Sequence, residues 1–360
     1  MLEMKLPVII DNIIYNLQKS GGISVVWYEI TRRLLKDRSL EFRFIEYNSS
    51  YNIFRRLLKI PKENVYLQMS RFGIKIFRYL DLRCSKMSSP FIFHSSYYRI
   101  SSNPMAINIT TVHDFTYEYY SKGLGKYIHC WQKHRAIRKS DYVVCISENT
   151  KLDLLKFIPE YPEERIRVIY NGVSNDYYPL DDNTLDHFDK KNILFVGIRA
   201  GYKNFDFLVT SLVNTDYCLE IVGPQLSKSE ITLLNTYIPD RWEYLGRLSN
   251  YELNEQYNKS FALVYPSLYE GFGIPILEAQ KAGCPVIACS SSSIPEIAGE
   301  GALLIETMSK DELIRKLLIL ENPMERRIIK QKGIENAAKY SWDKTYNEIV
   351  SLYNEIAKVI

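Results

Sequence analysis

The chain has 360 residues, 46% of them apolar and 24% charged, with a formal net charge of +4. That balance suits a soluble globular protein long enough for two domains, and no run of about 18 apolar residues is present to cross a membrane. The opening MLEMKLPVIIDN turns polar too early for a secretory signal, so the cytoplasm is the expected compartment.

Six cysteines, at 84, 130, 145, 218, 284 and 289, form no CxxC pair and read as reduced structural thiols rather than a disulfide framework. Charge is unevenly spread. Residues 51–87 hold nine Lys and Arg (Arg55, Arg56, Lys59, Lys62, Arg71, Lys75, Arg78, Arg83, Lys86) against Glu63 and Asp81. Apolar residues interleave with these bases, as in NIFRRLLKI. The segment is either a surface facing anionic lipid or a pyrophosphate-bearing acceptor, or the solvated faces of two ordinary helices.

Along the chain, apolar runs at 7–11, 42–47, 91–96, 107–114, 142–147 and 166–172 read as strands, with helical periodicity at 23–36, 124–139 and 149–158. The polar stretch 173–191 has no periodicity and reads as a linker. The plan then repeats. Strands are expected at 193–199, 218–223, 242–248, 261–267, 285–290 and 302–306, and helices at 203–213, 227–237, 249–258, 274–282 and 309–319, with a helical tail over 323–360. Near-continuous apolar strands alternating with helices imply two α/β halves with parallel sheets covered on both faces. The boundaries are 1–172, plus a C-terminal helix at about 341–360, and 192–340.

Sheets of this kind bind ligands beyond the carboxyl ends of their strands, so residues just after strands carry the chemistry. Gly21–Gly22 opens the first helix, where backbone N–H groups approach an anion closely, though a plain turn explains them equally well. His113 and Asp114 end one strand, as His94 does another, while His129, His134 and His187 fall on helix or linker. Ser147 suits a helix cap, with contact to a ligand as the alternative. In FVGIRAGYKN, Arg199 and Lys203 stand beside a helix start, where the macrodipole disfavours cations unless an anion such as a diphosphate fills the site. In YEGFGIPILEAQKAG, Glu270 precedes a helix that Pro275 helps to start, and Glu278 lies about one turn inside it. Carboxylates near a helix N-terminus have a structural explanation of their own. It does not account for Gly271 and Gly273, which suggest backbone amides aimed at a ligand.

The ordered set GGI, TVHD, VCIS, IYNGV, FVGIRAGYKN, YEGFGIPILEAQKAGCPVIA and PEIAGEGALLI resembles glycosyltransferase family 4, whose members are retaining, sugar-nucleotide-dependent enzymes. The resemblance implies the GT-B fold: two Rossmann-like domains facing across a cleft, with the C-terminal helix crossing back to the N-terminal one. It implies that Glu270 contacts the donor sugar, that Glu278 holds the ribose, and that the backbone of Gly271, Phe272 and Gly273 meets sugar and phosphates. Arg199 and Lys203 would neutralise the leaving diphosphate, with Gly21–Gly22 beside it, His113 near the sugar, and Gly223 and Arg247 flanking the nucleobase. No metal or other cofactor is expected, because the charge is met by protein groups and no DxD pair ends a strand. Asp181–Asp182 lies in the linker.

The expected partners are a nucleotide-sugar donor, with GDP-mannose favoured by the wording of RAGYKN, and a saccharide or lipid-linked acceptor of a bacterial surface polysaccharide such as an O-antigen. Peripheral contact with an anionic membrane through residues 51–87 fits this reading, and nucleic acid does not. The alternatives are a soluble transferase making a small glycoside and a non-catalytic sugar-nucleotide-binding subunit. A dehydrogenase is disfavoured by the missing GxGxxG.

Overall fold

The computed structural model describes residues 6–47, 50–68, 73–180 and 191–359, without the Lys75 side chain. The chain divides into two compact units, Met1–Asn171 with Trp342–Ile360, and Gly172–Ser341.

In the first unit, β1 (Val8–Asp11), β2 (Phe42–Tyr47), β3 (Val65–Gln68), β4 (Phe91–Ser95), β5 (Ala106–Val112), β6 (Tyr142–Cys145) and β7 (Ile166–Val168) form one sheet. Its order is β3-β2-β1-β4-β5-β6-β7 and every pairing is parallel. Strands such as FIFHS are buried along their whole length, as a sheet covered on both faces requires. The strand order reverses between β1 and β4, which is where such folds open a crevice at the carboxyl edge.

At that edge a buried ionic knot joins three strands. Tyr47 donates to Asp11 Oδ1 at 2.7 Å, Ser95 Oγ to Asp11 Oδ2 at 3.1 Å, and Arg99 Nη1 stands 3.3 Å from the same carboxylate. Burial raises the Asp11 carboxyl above its ordinary range, while the Arg99 guanidinium opposes that shift.

The helix Trp342–Val359 belongs to this unit. It buries Trp342, Thr345, Tyr346, Ile349, Leu352, Tyr353 and Ile356, a single stripe at helical spacing. Its Tyr353 hydroxyl lies 2.8 Å from His94 Nδ1, and Thr111 Oγ1 lies 2.8 Å from His94 Nε2. His94 is thus a fully enclosed packing residue of β4, held neutral by burial with its pKa lowered to about 3.

The second unit holds β8 (Asn192–Val196), β9 (Cys218–Val222), β10 (Trp242–Gly246), β11 (Ala262–Tyr265), β12 (Val286–Cys289) and β13 (Ala302–Ile305). Their order is β10-β9-β8-β11-β12-β13, again parallel throughout, with the reversal between β8 and β11. Both units are therefore Rossmann-like.

Four expectations change. The edge strand β3 was not anticipated. The helix expected over 203–213 is a 3-10 turn, Gly201–Lys203, then left-handed Asn204 (φ 54°) and the helix Phe205–Ser211. The helical tail over 323–360 is interrupted, forming Pro323–Ala337 and then Trp342–Val359, the latter being the C-terminal helix expected at about 341–360. The described part of 173–191 is no free linker. Tyr177 is buried, the Tyr178 amide donates to Asn254 Oδ1 at 2.9 Å, and that of Leu180 to Asn258 Oδ1 at 2.8 Å. Asp181, Asp182 and His187 lie outside the described residues. In the basic segment the helices are short, Ile53–Leu57 and Ile74–Phe77, with a 3-10 turn at Lys62–Asn64 and β3 between them, and Arg71 also lies outside the described residues. All six cysteines are free thiols.

Candidate active site

The second unit gathers its chemistry where β8 and β11 end side by side. Lys203, from the turn after β8, directs Nζ onto a Glu270 carboxylate oxygen and donates to the Tyr265 hydroxyl at 3.2 Å. The two elements are also tied through the backbone, the Leu268 amide donating to the Tyr202 carbonyl at 2.8 Å. Lys203 keeps 14% of its side chain exposed and Glu270 12%, so this ion pair lies partly open to solvent.

Arg199 behaves differently. Its side chain is 4% exposed. Nε donates to Glu230 Oε1 at 2.7 Å, and Nη2 to the carbonyls of Pro224 and Gln225 at 2.7 and 3.0 Å. Glu230 also completes a capping box with Ser227 on the helix Lys228–Tyr237. The expected pair of cations is thereby split. Lys203 stays partly open to solvent, while Arg199 is a brace that fastens the loop after β8 to the loop after β9. The reason is the carboxylate of Glu230, which sequence order hides.

Gly223 ends β9 inside this brace. Its φ is +155°, and a Cβ there would stand 2.3 Å from the Gly197 carbonyl oxygen, so only glycine fits. Arg247, after β10, is exposed.

The loop carrying Glu270 is braced by three of the serines that follow β12, Ser291, Ser292 and Ser293. The Glu270 amide donates to Ser292 Oγ at 2.8 Å. Ser293 Oγ donates to the carbonyls of Glu270 and Phe272, each at 3.0 Å, and Ser291 Oγ to that of Ser267 at 3.0 Å. Phe272 turns its ring inward against Tyr340, leaving only its backbone for a ligand. Gly273 (φ 107°) starts the helix Ile274–Lys281, with Pro275 in its first turn.

Glu278, on that helix, accepts from the Tyr257 hydroxyl at 3.1 Å and also from Tyr177. Burial drives its carboxyl up to about 7, against the pull of both hydroxyls. The structure thus brings Lys203, Glu270, Gly271–Gly273 and Glu278 into one stretch of the sheet edge. Tyr177, Tyr257, Ser292 and Ser293 belong to the same assembly and were missed. The run of serines directly after a strand was the one available signal.

In the first unit, Gly22 opens the helix Gly22–Leu34 with nothing within 4 Å of where a Cβ would stand, so its backbone is open to approach. A Cβ on Gly21 would meet only the flexible end of Gln18. His113 follows β5, is buried, and leaves Nε2 without a hydrogen-bond partner. Burial lowers its pKa to about 4, a shift that Asp114 opposes and Lys133 reinforces. Beneath it Lys133, fully buried, donates to the Asp114 carbonyl at 2.8 Å and to Glu118 at 2.7 Å. Burial would raise Glu118, but His134 and Lys133 hold it down to about 2. His134 is thus part of the support for this strand end, and His129 stacks on Tyr117 at 3.7 Å between ring centres, so neither is incidental. Ser147 caps the helix Glu148–Phe157, accepting from the Thr150 amide, and is fully buried, which is the capping role rather than a ligand contact.

Two family models match this chain: Glycosyltransferase Family 4 over residues 20–177 and Glycosyl transferases group 1 over residues 181–340. The chain belongs to the family 4 glycosyltransferases. Among its relatives, O-antigen chain mannosyltransferase B of Escherichia coli is 25% identical over 266 residues, spanning 68% of this chain and 69% of that protein. O-antigen chain mannosyltransferase RfbU of Salmonella typhimurium is 30% identical over 210 residues, 56% of this chain and 58% of that protein, so here the match spans less than two thirds of the relative. In architecture, this glycosyltransferase is similar to the sucrose-phosphate synthase of Thermosynechococcus elongatus, with a TM-score of 0.77 over 99% of this chain and all of that one, at 16% identity.

Proposed function

We propose that this glycosyltransferase moves a sugar, with mannose favoured, from a nucleotide-sugar donor to a saccharide or lipid-linked acceptor in the synthesis of a bacterial surface polysaccharide such as an O-antigen. The observation that carries the reading is the Lys203–Glu270 pair, partly open to solvent beside β8 and β11, with Glu278 on the adjoining helix. The relatives that match most of their own length support the polysaccharide and the mannose.

Donor cleavage leaves negative charge on the departing diphosphate while the sugar carbon becomes oxocarbenium-like. Lys203 meets that charge, helped by the amides of Gly271–Gly273 at a helix start. In the free protein Lys203 is neutralised by Glu270, so donor binding exchanges one anion for another and frees the Glu270 carboxylate for sugar hydroxyls. Glu278 holds the ribose hydroxyls, and Gly223 and Arg247 flank the base. In the first unit, the open backbone of Gly21–Gly22 serves the phosphates and the unpartnered Nε2 of His113 the donor sugar. Arg199 contributes by bracing the loop rather than by contact.

Retention follows from attack on the leaving-group face. The bond from the sugar carbon to phosphate oxygen breaks, the bond to the acceptor oxygen forms, and the acceptor proton passes to the departing phosphate oxygen. No side chain is assigned as general base, and no metal is assigned. The enzyme works in the cytoplasm, in peripheral contact with an anionic membrane. No helix of the described residues is long and apolar enough to cross one.

Saturation-transfer NMR against GDP-, UDP- and CDP-sugars identifies the donor. Lys203→Ala is expected to weaken its binding by about 2 kcal/mol, roughly thirtyfold, the worth of a charged hydrogen bond. Unchanged affinity and turnover would remove Lys203 from the diphosphate. Full transfer by Glu270→Gln would likewise remove Glu270 from the sugar.

A further inference from the structure

The helix Leu124–Arg138 carries a surface that its own unit does not use. Leu124, Tyr127, Ile128 and Trp131, at the i, i+3, i+4, i+7 spacing of one helical face, are 75, 71, 40 and 55% exposed. An exposed apolar stripe of two turns, with a Tyr and a Trp in it, is not the polar outer face of an ordinary surface helix.

Its electrostatic setting is one-sided. Residues 119–140 contain Lys122, Lys126, Lys133, Arg135, Arg138 and Lys139 and not one Asp or Glu. Lys133, Arg135 and Arg138 are spent on Glu118, Asp81 and Glu160. Lys122 and Lys139 are exposed, and Lys126 donates to the Glu118 backbone carbonyl at 2.7 Å rather than to its carboxylate. The neighbouring turn adds to the face. Gln132 donates to the Arg78 carbonyl at 2.8 Å and Arg135 clamps Asp81, which fastens to this helix the 76–80 stretch with its exposed Ile76 and Leu80.

We infer that the Leu124–Arg138 helix is the membrane-docking element, its Leu124–Tyr127–Ile128–Trp131 face entering the interfacial layer of an anionic bilayer while the flanking lysines meet the lipid headgroups. Aromatic and aliphatic residues on one face, with cations beside them and the nearby Glu118, Asp81 and Glu160 each matched by a base, suit the chemistry of that layer, where Trp and Tyr settle at headgroup depth. A protein partner of acidic character would meet the lysines but would not need so many bulky apolar tips in one row. The inference assigns a surface to the membrane contact proposed above and moves it from residues 51–87 as a whole to this helix and the 76–80 turn fastened to it.

The test is co-sedimentation of the full chain with vesicles of phosphatidylcholine containing phosphatidylglycerol, against pure phosphatidylcholine. Wild type is expected to partition onto the anionic vesicles and to be released by salt. The combined variant Leu124→Gln, Tyr127→Gln, Ile128→Gln, Trp131→Gln is expected to partition at least about tenfold less, a lower bound for losing four buried apolar tips. Its far-UV circular dichroism and nucleotide-sugar affinity should stay as in wild type. A second measurement needs no such variant: brominated lipids should quench wild-type tryptophan fluorescence, and Trp131→Phe should abolish that quenching. The inference fails if wild type stays in solution, if the variant sediments like wild type, or if Arg56→Gln with Lys59→Gln removes binding instead. It also fails if the stripe variant changes only the oligomeric state or the affinity for a soluble saccharide, since the face would then serve a second copy or a sugar. Vesicle binding without nucleotide-sugar binding would overturn the enzymatic proposal and leave the docking face standing.

Discussion

Glu278 shows how a single buried carboxyl links chemistry to stability. Its folded pKa is about 7, against an ordinary 4.5, because burial disfavours charge by more than the Tyr177 and Tyr257 hydroxyls favour it. A raised carboxyl binds its proton more tightly in the folded state, so its stabilising contribution is complete below about pH 4.5 and is lost as pH rises through 7. Glu278→Gln, which cannot ionise, should melt with wild type at pH 5 and above it at pH 8 in thermal scans across that range. The same variant should bind nucleotide sugar more weakly at pH 8, because a neutral amide accepts one ribose hydroxyl where a carboxylate accepts two. The sequence singled out Glu278 by its place one turn inside the helix after Glu270, and only the resemblance to family 4 gave it a role. The two tyrosine partners of Glu278 were not legible. Tyr177 lies in a stretch that reads as linker and Tyr257 on another helix, and only the packed chain brings them together. Arg199 and Lys203 make the same point. Both are cations in one short loop, and what turns one inward is Glu230, 31 residues away.

At the scale of elements, the ends of β8, β9 and β10 form a clasp. The Gly197 amide donates to the Val222 carbonyl at 2.9 Å and that of Gly223 to the Gly246 carbonyl at 2.8 Å, with Arg199 laid across them. Arg199→Ala would strand the Glu230 carboxylate and two carbonyls, at a cost of about 1–3 kcal/mol. The expected result is a lowered melting temperature with a smaller loss of nucleotide affinity than in Lys203→Ala. A large affinity loss at unchanged melting temperature would return Arg199 to the phosphate. Most strands were readable because they are buried on both faces and therefore apolar throughout. The strand β3 was not, since its residues are only partly buried at a sheet edge and VYLQ carries no clear period. The last helix was expected at about 341–360 and forms at Trp342–Val359, although the break before it, at Tyr340–Ser341, holds neither Gly nor Pro, the usual marks of an ending helix.

The whole molecule divides its acid sensitivity unequally. His94, His113 and His129, all in the first unit, are lowered to about 3, 4 and 4, in each case mainly by burial. A depressed histidine takes up its proton only on unfolding, so stability falls as pH drops below about 6.5, by up to about 1.4 kcal/mol per pH unit for each group. Asp11 works the other way and offsets part of this. The described residues of the second unit hold no histidine. Hydrogen–deuterium exchange between pH 7 and pH 5, corrected for intrinsic rates, should show the first unit losing protection before the second. Equal losses in both units would contradict this assignment.

The strand-like contact of Val173 with Ser341 sets the two ends of the second unit side by side. Genetically, that unit is a cassette. It enters the chain after Asn171 and leaves before Trp342, and its ends already meet. Residues 172–341 can be lifted out as one continuous gene segment, and a short spacer from Asn171 to Trp342 would restore the first unit with its closing helix. A stop codon after Ser341 would do the reverse, leaving the second unit whole and stripping the first of the stripe that seats Tyr353 on His94.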